Sequence, residues 1–166
     1  MRLYIVRHGI AVPHGAPGVA EDERPLTEEG IEKMKLAASG LKKLDVAPEL
    51  ILSSPLPRAE QTAKIVQKAL GPKVSLRLTR ALSPAGNRDD VYKEMRAHES
   101  LEGLMLVGHQ PSLGEIAGEI AWGSPDRYLE LKKGGAVAIE IERLSPIPGG
   151  TLLWLLTPSI LRQLGS

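Results

Sequence analysis

The stretch YIVRHG, residues 4–9, places an arginine and a histidine directly after a run of apolar residues. The run over 3–6 is β-branched or bulky, which is typical of a buried strand, so the polar pair falls at the end of that strand. One such pair carries little weight, because a lone histidine beside a strand is commonly a hydrogen-bonded structural residue. The pair therefore predicts a functional site only if partners for it follow other strands.

Short apolar runs alternate along the chain with longer segments of helical period, which favours an α/β domain with a largely parallel sheet. Strands are predicted over 3–6, 50–52, 74–78 and 104–107. Helices are predicted over 27–44, 57–70, 88–98 and 111–121, the first with Thr27 as N-cap and the second with Pro57 in its first turn. Alternating residues over 137–142, the turn SPIPGG and the run TLLWLLT predict an antiparallel hairpin.

Length and composition exclude several classes of protein. The 166 residues suit a single domain over 1–166. Lys and Arg number 21 against 20 Asp and Glu, and aromatic residues are few, which argues against nucleic acid and membrane surfaces as partners. The absence of cysteine excludes disulfides and thiolate chemistry. With no signal peptide and no run of ~20 apolar residues, we expect a cytoplasmic protein.

Polar residues follow three of the predicted strands. Arg7 and His8 follow the first, Arg58 opens the helix after the second, and His109 follows the fourth. The carboxyl ends of parallel strands lie at one edge of the sheet, where α/β proteins bind their ligands. We therefore expect two arginines and two histidines to meet in one crevice.

This set of side chains suits phosphoryl transfer. The arginine fork binds phosphate oxygens in a bidentate manner, and a helix N-terminus adds main-chain donors. One imidazole can attack phosphorus, while the other stabilises charge on the phosphoryl oxygens. The cationic side chains supply the neutralising charge, so the prediction includes no metal ion and no cofactor.

The motifs RHG (7–9), SSPLPRAEQTA (53–63) and GHQP (108–111) together resemble the histidine phosphatase superfamily, which includes the phosphoglycerate mutases. ERPLTEEG (23–30) and LSPAGN (82–87) are most similar to the SixA-type phosphohistidine phosphatases within it. The resemblance implies a three-layer αβα sandwich with a mainly parallel central sheet and an antiparallel C-terminal hairpin. It also implies His8 as the phosphorylated nucleophile, Arg7 and Arg58 as phosphate ligands, His109 as the second histidine and Arg24 as a residue of the pocket rim.

The sequence departs from the superfamily pattern at one position. Many members carry a carboxylic acid after the third strand that protonates the leaving alcohol, whereas this chain has Pro84 there. An alkoxide needs that proton, but an imidazole, with a pKa of roughly 6.5, can leave phosphohistidine with little help. Pro84 therefore favours a phosphohistidine substrate. Glu21 and Asp22, in the irregular stretch over 9–25, remain candidate proton donors.

Three functions are left open at this stage. The favoured one is dephosphorylation of phosphohistidine on a partner protein. The second is the reaction of a phosphatase or a mutase on a small phosphorylated compound. The third is phosphate binding with weak catalytic activity. His14, His98 and the lysine pairs at 42–43 and 132–133 are interpreted as solvent-exposed.

Overall fold

The computed structural model describes all 166 residues and has a central sheet of six strands flanked by five α-helices. The strands are β1 (Arg2–Arg7), β2 (Leu50–Ser53), β3 (Ser75–Leu78), β4 (Gly103–Gly108), β5 (Ala136–Arg143) and β6 (Gly149–Leu156). The helices are α1 (Glu28–Lys43), α2 (Pro57–Leu70), α3 (Arg88–Ala97), α4 (Ser112–Trp122) and α5 (Pro158–Gly165). Two short 3₁₀ helices cover Glu21–Glu23 and Arg80–Leu82.

The strand order β3-β2-β4-β1-β5-β6 places β4 between β2 and β1. The four strands β3, β2, β4 and β1 are parallel, and β5 is antiparallel to both β1 and β6. The register aligns Arg7 with Gly108 and Ser53 with Val107, so β1, β2 and β4 end at the same level. Residues that follow these three strands therefore meet at one edge of the sheet.

Two apolar clusters lie on opposite faces of the sheet and define three layers. One cluster joins the sheet to α1, α2 and α5, and includes Met34, Val66 and Leu161. The other joins it to α3 and α4, and includes Met95 and Ile116. The αβα sandwich with a mainly parallel sheet and an antiparallel C-terminal hairpin, predicted from the sequence, is confirmed. The prediction of a single domain over 1–166 stays a prediction, which one sheet built from all six strands supports.

Local sequence explains where α1 lies and how closely it packs. Thr27 caps the helix by accepting a hydrogen bond from the Gly30 main-chain N–H at 2.9 Å, and two glutamates follow in the first turn. A side chain at Gly40 would overlap the main-chain carbonyl of Leu161, so glycine allows α1 and α5 to approach each other. Helix α1 is thereby held against both the sheet and α5.

Helix α5 is the one helix that the sequence did not predict. It follows β6 after Thr157, whose hydroxyl accepts a hydrogen bond from the Ile160 N–H at 3.4 Å, and Pro158 occupies its first turn. Its one fully buried side chain is Leu161. Because the helix has eight residues and one buried position, its apolar residues repeat over too short a stretch of sequence for a helix to be predicted. None of the helices is both long and apolar enough to span a membrane.

Candidate active site

A cavity of about 240 Å³ opens at the edge of the sheet where β1, β2 and β4 end. Its walls are polar or charged side chains together with one proline. The lining residues are Arg7, His8, His14, Glu21, Asp22, Arg24, Arg58, Pro84, His109, Gln110 and Lys133. The structure thus brings together every candidate site residue that the sequence identified.

His8 lies at the end of β1, where its main-chain N–H donates to the Gly108 carbonyl at 3.0 Å. Its Nδ1 is 2.7 Å from the carbonyl oxygen of Gly9. A carbonyl can only accept, so Nδ1 carries the hydrogen and Nε2 keeps its lone pair. Burial, with smaller contributions from the neighbouring His109 and Arg58, lowers the pKa of His8 to about 3. The imidazole is therefore neutral near pH 7 and has the lone pair of a nucleophile.

Thr62 of α2 connects the end of β1 to this helix. Its Oγ1 accepts a hydrogen bond from the Gly9 N–H at 3.0 Å and donates one to the Arg58 carbonyl at 2.7 Å. Thr62 is fully buried, so its hydroxyl is the partner that keeps the buried Gly9 N–H satisfied. No pattern in the sequence identified this role of Thr62.

His109 follows β4, and its ring centroid lies 5.2 Å from that of His8. Its Nε2 is 2.8 Å from Ser54 Oγ, whereas its buried Nδ1 has no hydrogen-bond partner. Burial, together with the smaller effect of the charges of Arg58 and Arg7, lowers the pKa of His109 to about 4. A phosphoryl dianion beside the ring would act in the opposite direction and favour the protonated form.

The Arg7 and Arg58 side chains are each anchored by one hydrogen bond from NH1 to a main-chain carbonyl. Arg7 donates from NH1 to the Leu131 carbonyl at 2.8 Å, and Arg58 donates from NH1 to the Glu21 carbonyl at 3.2 Å. The Nε of each is buried and has no partner in the protein. Burial lowers the pKa of both guanidinium groups, but arginine remains charged in proteins. Buried donors without partners, on residues that line a cationic pocket, suit an oxyanion as their acceptor.

Arg24 is buried and mainly fixes the loop over 9–25. Its Nε and NH2 donate to the two carboxylate oxygens of Glu21 at 3.0 and 2.8 Å, and its NH1 donates to the Val12 carbonyl at 2.8 Å. The exposed His14 lies 2.7 Å from Glu21 Oε2 through its Nδ1. The Arg24 guanidinium, with His14, holds the pKa of the Glu21 carboxyl below its usual value. Glu21 is therefore an ionised partner of Arg24 and is poorly suited to donate a proton.

Three further residues line the wall of the cavity. Pro84 lines the cavity, at the position where the superfamily pattern has an acid. Gln110 is fixed by a bond from its Nε2 to the Leu129 carbonyl at 3.0 Å. Lys133 was interpreted as solvent-exposed surface, and it is exposed, but it also lines the cavity, because the Gly134 N–H beside it donates to the Arg7 and His8 carbonyls.

Comparison with known proteins supports the interpretation of this pocket. The model of the family described as "Histidine phosphatase superfamily (branch 1)" matches residues 3–85. The chain is 29% identical over 165 residues to the phosphohistidine phosphatase SixA of Escherichia coli, a match that covers 98% of both chains. An uncharacterised protein of Picosynechococcus is 42% identical over 143 residues, 84% of both chains.

A solved structure gives the same result at the level of the fold. The structure of the protein histidine phosphatase SixA complexed with tungstate matches with a TM-score of 0.84 and 28% identity, and covers 97% of this chain and 99% of that one. Together with the polar pocket, these comparisons define the class of protein. The chain belongs to the histidine phosphatase superfamily, and it is a phosphatase.

Proposed function

We propose that this phosphatase removes the phosphoryl group from phosphohistidine on a protein, through a covalent intermediate on His8. The similarity to the phosphohistidine phosphatase SixA over nearly the whole chain supports this substrate class. The geometry of the pocket supports the same reaction, with Arg7, Arg58 and His109 as the groups that bind the phosphoryl oxygens.

In the first step, the Nε2 lone pair of His8 attacks phosphorus, and the bond between phosphorus and the substrate imidazole breaks. The substrate ring leaves as neutral imidazole: one nitrogen keeps the electron pair of the broken bond, and the other already carries a hydrogen taken from solvent, because a ring with a pKa of roughly 6.5 exchanges that proton readily near neutral pH. Since the pKa of His8 is lowered to about 3, the lone pair is available throughout the neutral range. The Nδ1–H bond to the Gly9 carbonyl, 2.7 Å long, keeps the ring oriented during attack.

In the second step, water attacks the phosphorus of phosphorylated His8, and the bond to Nε2 breaks. The proton of the attacking water passes to solvent, and inorganic phosphate leaves. The charge that develops on the phosphoryl oxygens is stabilised by the fixed guanidinium groups and by His109. Arg7 and Arg58 are anchored by carbonyl oxygens and need little rearrangement to do this.

The single observation that carries the choice of substrate is that neither Pro84 nor Glu21 can serve as a proton donor in the pocket. Pro84 cannot donate a proton, and Glu21 is held ionised by the two hydrogen bonds from Arg24. An alcohol leaving group needs a proton donor, whereas imidazole does not. The pocket therefore suits a phosphoramidate better than a phosphate ester.

A second candidate, hydrolysis of phosphate esters of small compounds, rests on Asp22. This residue lines the cavity and is exposed, and its carboxylate lies near enough to Arg58 to act on that guanidinium. If Asp22 reaches the leaving oxygen, Asp22→Asn will reduce the turnover of alkyl phosphates and leave the turnover of phosphohistidine unchanged.

The test compares kcat/KM for a protein that carries phosphohistidine, an aryl phosphate and an alkyl phosphate. We expect wild-type enzyme to prefer the phosphohistidine protein, and His8→Ala to abolish turnover of all three. His98→Ala is the matched control, because the ring of His98 is hydrogen-bonded to the Glu94 carbonyl and lies outside the pocket. Preference for the alkyl phosphate would refute the proposal that the substrate is phosphohistidine. Full activity of His8→Ala would refute the proposal that His8 is the nucleophile.

A further inference from the structure

Ser54 is a fully buried side chain directly after β2 that does not line the cavity but is hydrogen-bonded to His109, which does. Its Oγ lies 2.8 Å from His109 Nε2 and accepts a hydrogen bond from the Leu56 N–H at 3.2 Å. Its own N–H donates to the Val107 carbonyl at 3.0 Å, which fixes the residue between β2 and β4. Ser54 is therefore placed to act on His109 but not on a substrate.

The hydrogen-bond inventory of Ser54 determines which nitrogen of neutral His109 carries the hydrogen. The Leu56 N–H uses one lone pair of the hydroxyl, and His109 Nε2 is the only acceptor within reach of the hydroxyl hydrogen. If Nε2 carried the hydrogen, the hydroxyl hydrogen would be left unpaired in a fully buried position, which is costly. The arrangement that satisfies both groups has the hydroxyl donating to Nε2, with the hydrogen of the ring on Nδ1.

This tautomer gives the buried Nδ1 of His109 a hydrogen to donate. Nδ1 has no partner in the protein, and the residue lines the cationic cavity beside His8. The opposite tautomer would present a lone pair to the negatively charged phosphoryl oxygens and repel them. Once His109 is protonated, Nε2 also carries a hydrogen, and the serine hydroxyl can rotate to accept it with its second lone pair. The hydroxyl hydrogen is then unpaired, but the bond from the charged ring is stronger than a neutral one and offsets that cost.

We propose that Ser54 is a positioning residue that presents Nδ1–H of His109 to the phosphoryl group in both protonation states of the imidazole. A main-chain carbonyl at this place could only accept, and would fix the opposite tautomer of the neutral ring. A serine hydroxyl can both donate and accept, so His109 remains a hydrogen-bond donor before and after it takes up a proton. This proposal rests on the role of His109 in the proposed function.

The direct test is ¹⁵N NMR of the four histidines at pH 7, with the His109 signals assigned by comparison with His109→Asn. We expect His109 of the wild-type enzyme to be protonated at Nδ1 and unprotonated at Nε2. In Ser54→Ala, Nε2 loses its hydrogen-bond donor, so the population with hydrogen on Nε2 should rise. A wild-type His109 with its hydrogen on Nε2 would overturn the proposal without any variant of Ser54.

Kinetics with an aryl phosphate provide the second readout. Loss of the partner that orients a metal-bound histidine typically costs about 10- to 100-fold, and we expect kcat/KM of Ser54→Ala to fall by a similar factor. The acidic limb of its pH profile should shift, because the imidazolium has lost its acceptor. Ser54→Thr, which keeps the hydroxyl, should recover most of the activity.

Ser53→Ala is the matched control for burial and for loss of a hydroxyl. Ser53 is also fully buried and adjacent in sequence, but its Oγ donates to the Ser54 carbonyl at 2.9 Å and not to a histidine. We expect Ser53→Ala to keep the wild-type pH profile and tautomer. A Ser54→Ala enzyme with unchanged kcat/KM and tautomer would overturn the proposal, whereas full activity of His109→Asn would instead refute the role of His109.

Discussion

Two buried histidines should make the protein less stable as the pH falls from 7 to 5. Burial lowers the pKa of His8 to about 3 and that of His109 to about 4, from an ordinary value of 6.5. In the unfolded chain both imidazoles bind protons below pH 6.5, but in the folded chain they stay neutral at pH 5. The unfolded state then binds more protons than the folded state, so stability rises with pH across this window.

The size of this effect follows from the pKa values. A pH of 5 lies about 1.5 units below the pKa of each imidazole in the unfolded chain, and each pH unit corresponds to about 1.4 kcal/mol of unfolding free energy. Each histidine should therefore cost the folded state about 2 kcal/mol at pH 5, and the two together about 4 kcal/mol. Both native pKa values lie below pH 5, so the folded state recovers little of this amount.

The assay is urea unfolding at pH 7 and pH 5, followed by the fluorescence of Trp122 and Trp154, in buffers free of phosphate, because a bound oxyanion would stabilise the folded state. His8→Asn should lose about 2 kcal/mol less than wild type between the two pH values. His98→Gln, outside the pocket, is the control. If His8→Asn loses as much stability as wild type over this range, the depressed pKa of His8 is refuted.

Three further substitutions test other parts of the account. Pro84→Glu places a carboxyl group in the pocket wall and should raise kcat for alkyl phosphates by up to about 10²- to 10⁴-fold, the scale of general acid catalysis, while phosphohistidine turnover changes little. Unchanged alkyl phosphate rates would contradict the role given to Pro84. Thr62→Val leaves the Gly9 N–H without its acceptor and should lower the free energy of unfolding by about 1 to 3 kcal/mol, more than Thr62→Ser does in the same urea titration. Gly40→Ala should push α5 away from α1, because the added Cβ meets the Leu161 carbonyl, at a cost of about 1 to 3 kcal/mol; an unchanged urea midpoint would show that the two helices do not pack this closely.

Much of the site was predictable because its main residues follow strands. Arg7, His8, Arg58 and His109 each occur directly after an apolar run or in the first turn of the next helix, and parallel strands bring those positions to one edge. Residues that act through these four were not predictable in this way. The bond between Ser54 and His109 spans 55 residues, and no local pattern distinguishes Ser54 from its buried neighbour Ser53.

The helices and strands that could be predicted are those whose apolar residues repeat regularly within their own stretch of sequence. The strands over 50–52 and 104–107 and the helix capped by Thr27 agree with the structure to within one or two residues. Helix α5 was missed because its stability comes from contact with α1 at Gly40, which is a tertiary contact that a short local pattern does not encode. The contribution of Lys133 to the cavity was missed for the same reason, since the bonds of Gly134 to the end of β1 place it there.

The central claim is that the phosphoryl group passes through Nε2 of His8. The most direct measurement is to mix the enzyme with a phosphohistidine protein, quench it within the first turnover under alkaline conditions, and locate the phosphate by peptide mass spectrometry and ³¹P NMR. Because Nδ1 of His8 is committed to the Gly9 carbonyl, we predict a phosphate on Nε2 of His8. Phosphate on Nδ1 of His8 or on His109, or turnover without any phosphorylated enzyme, would contradict the account.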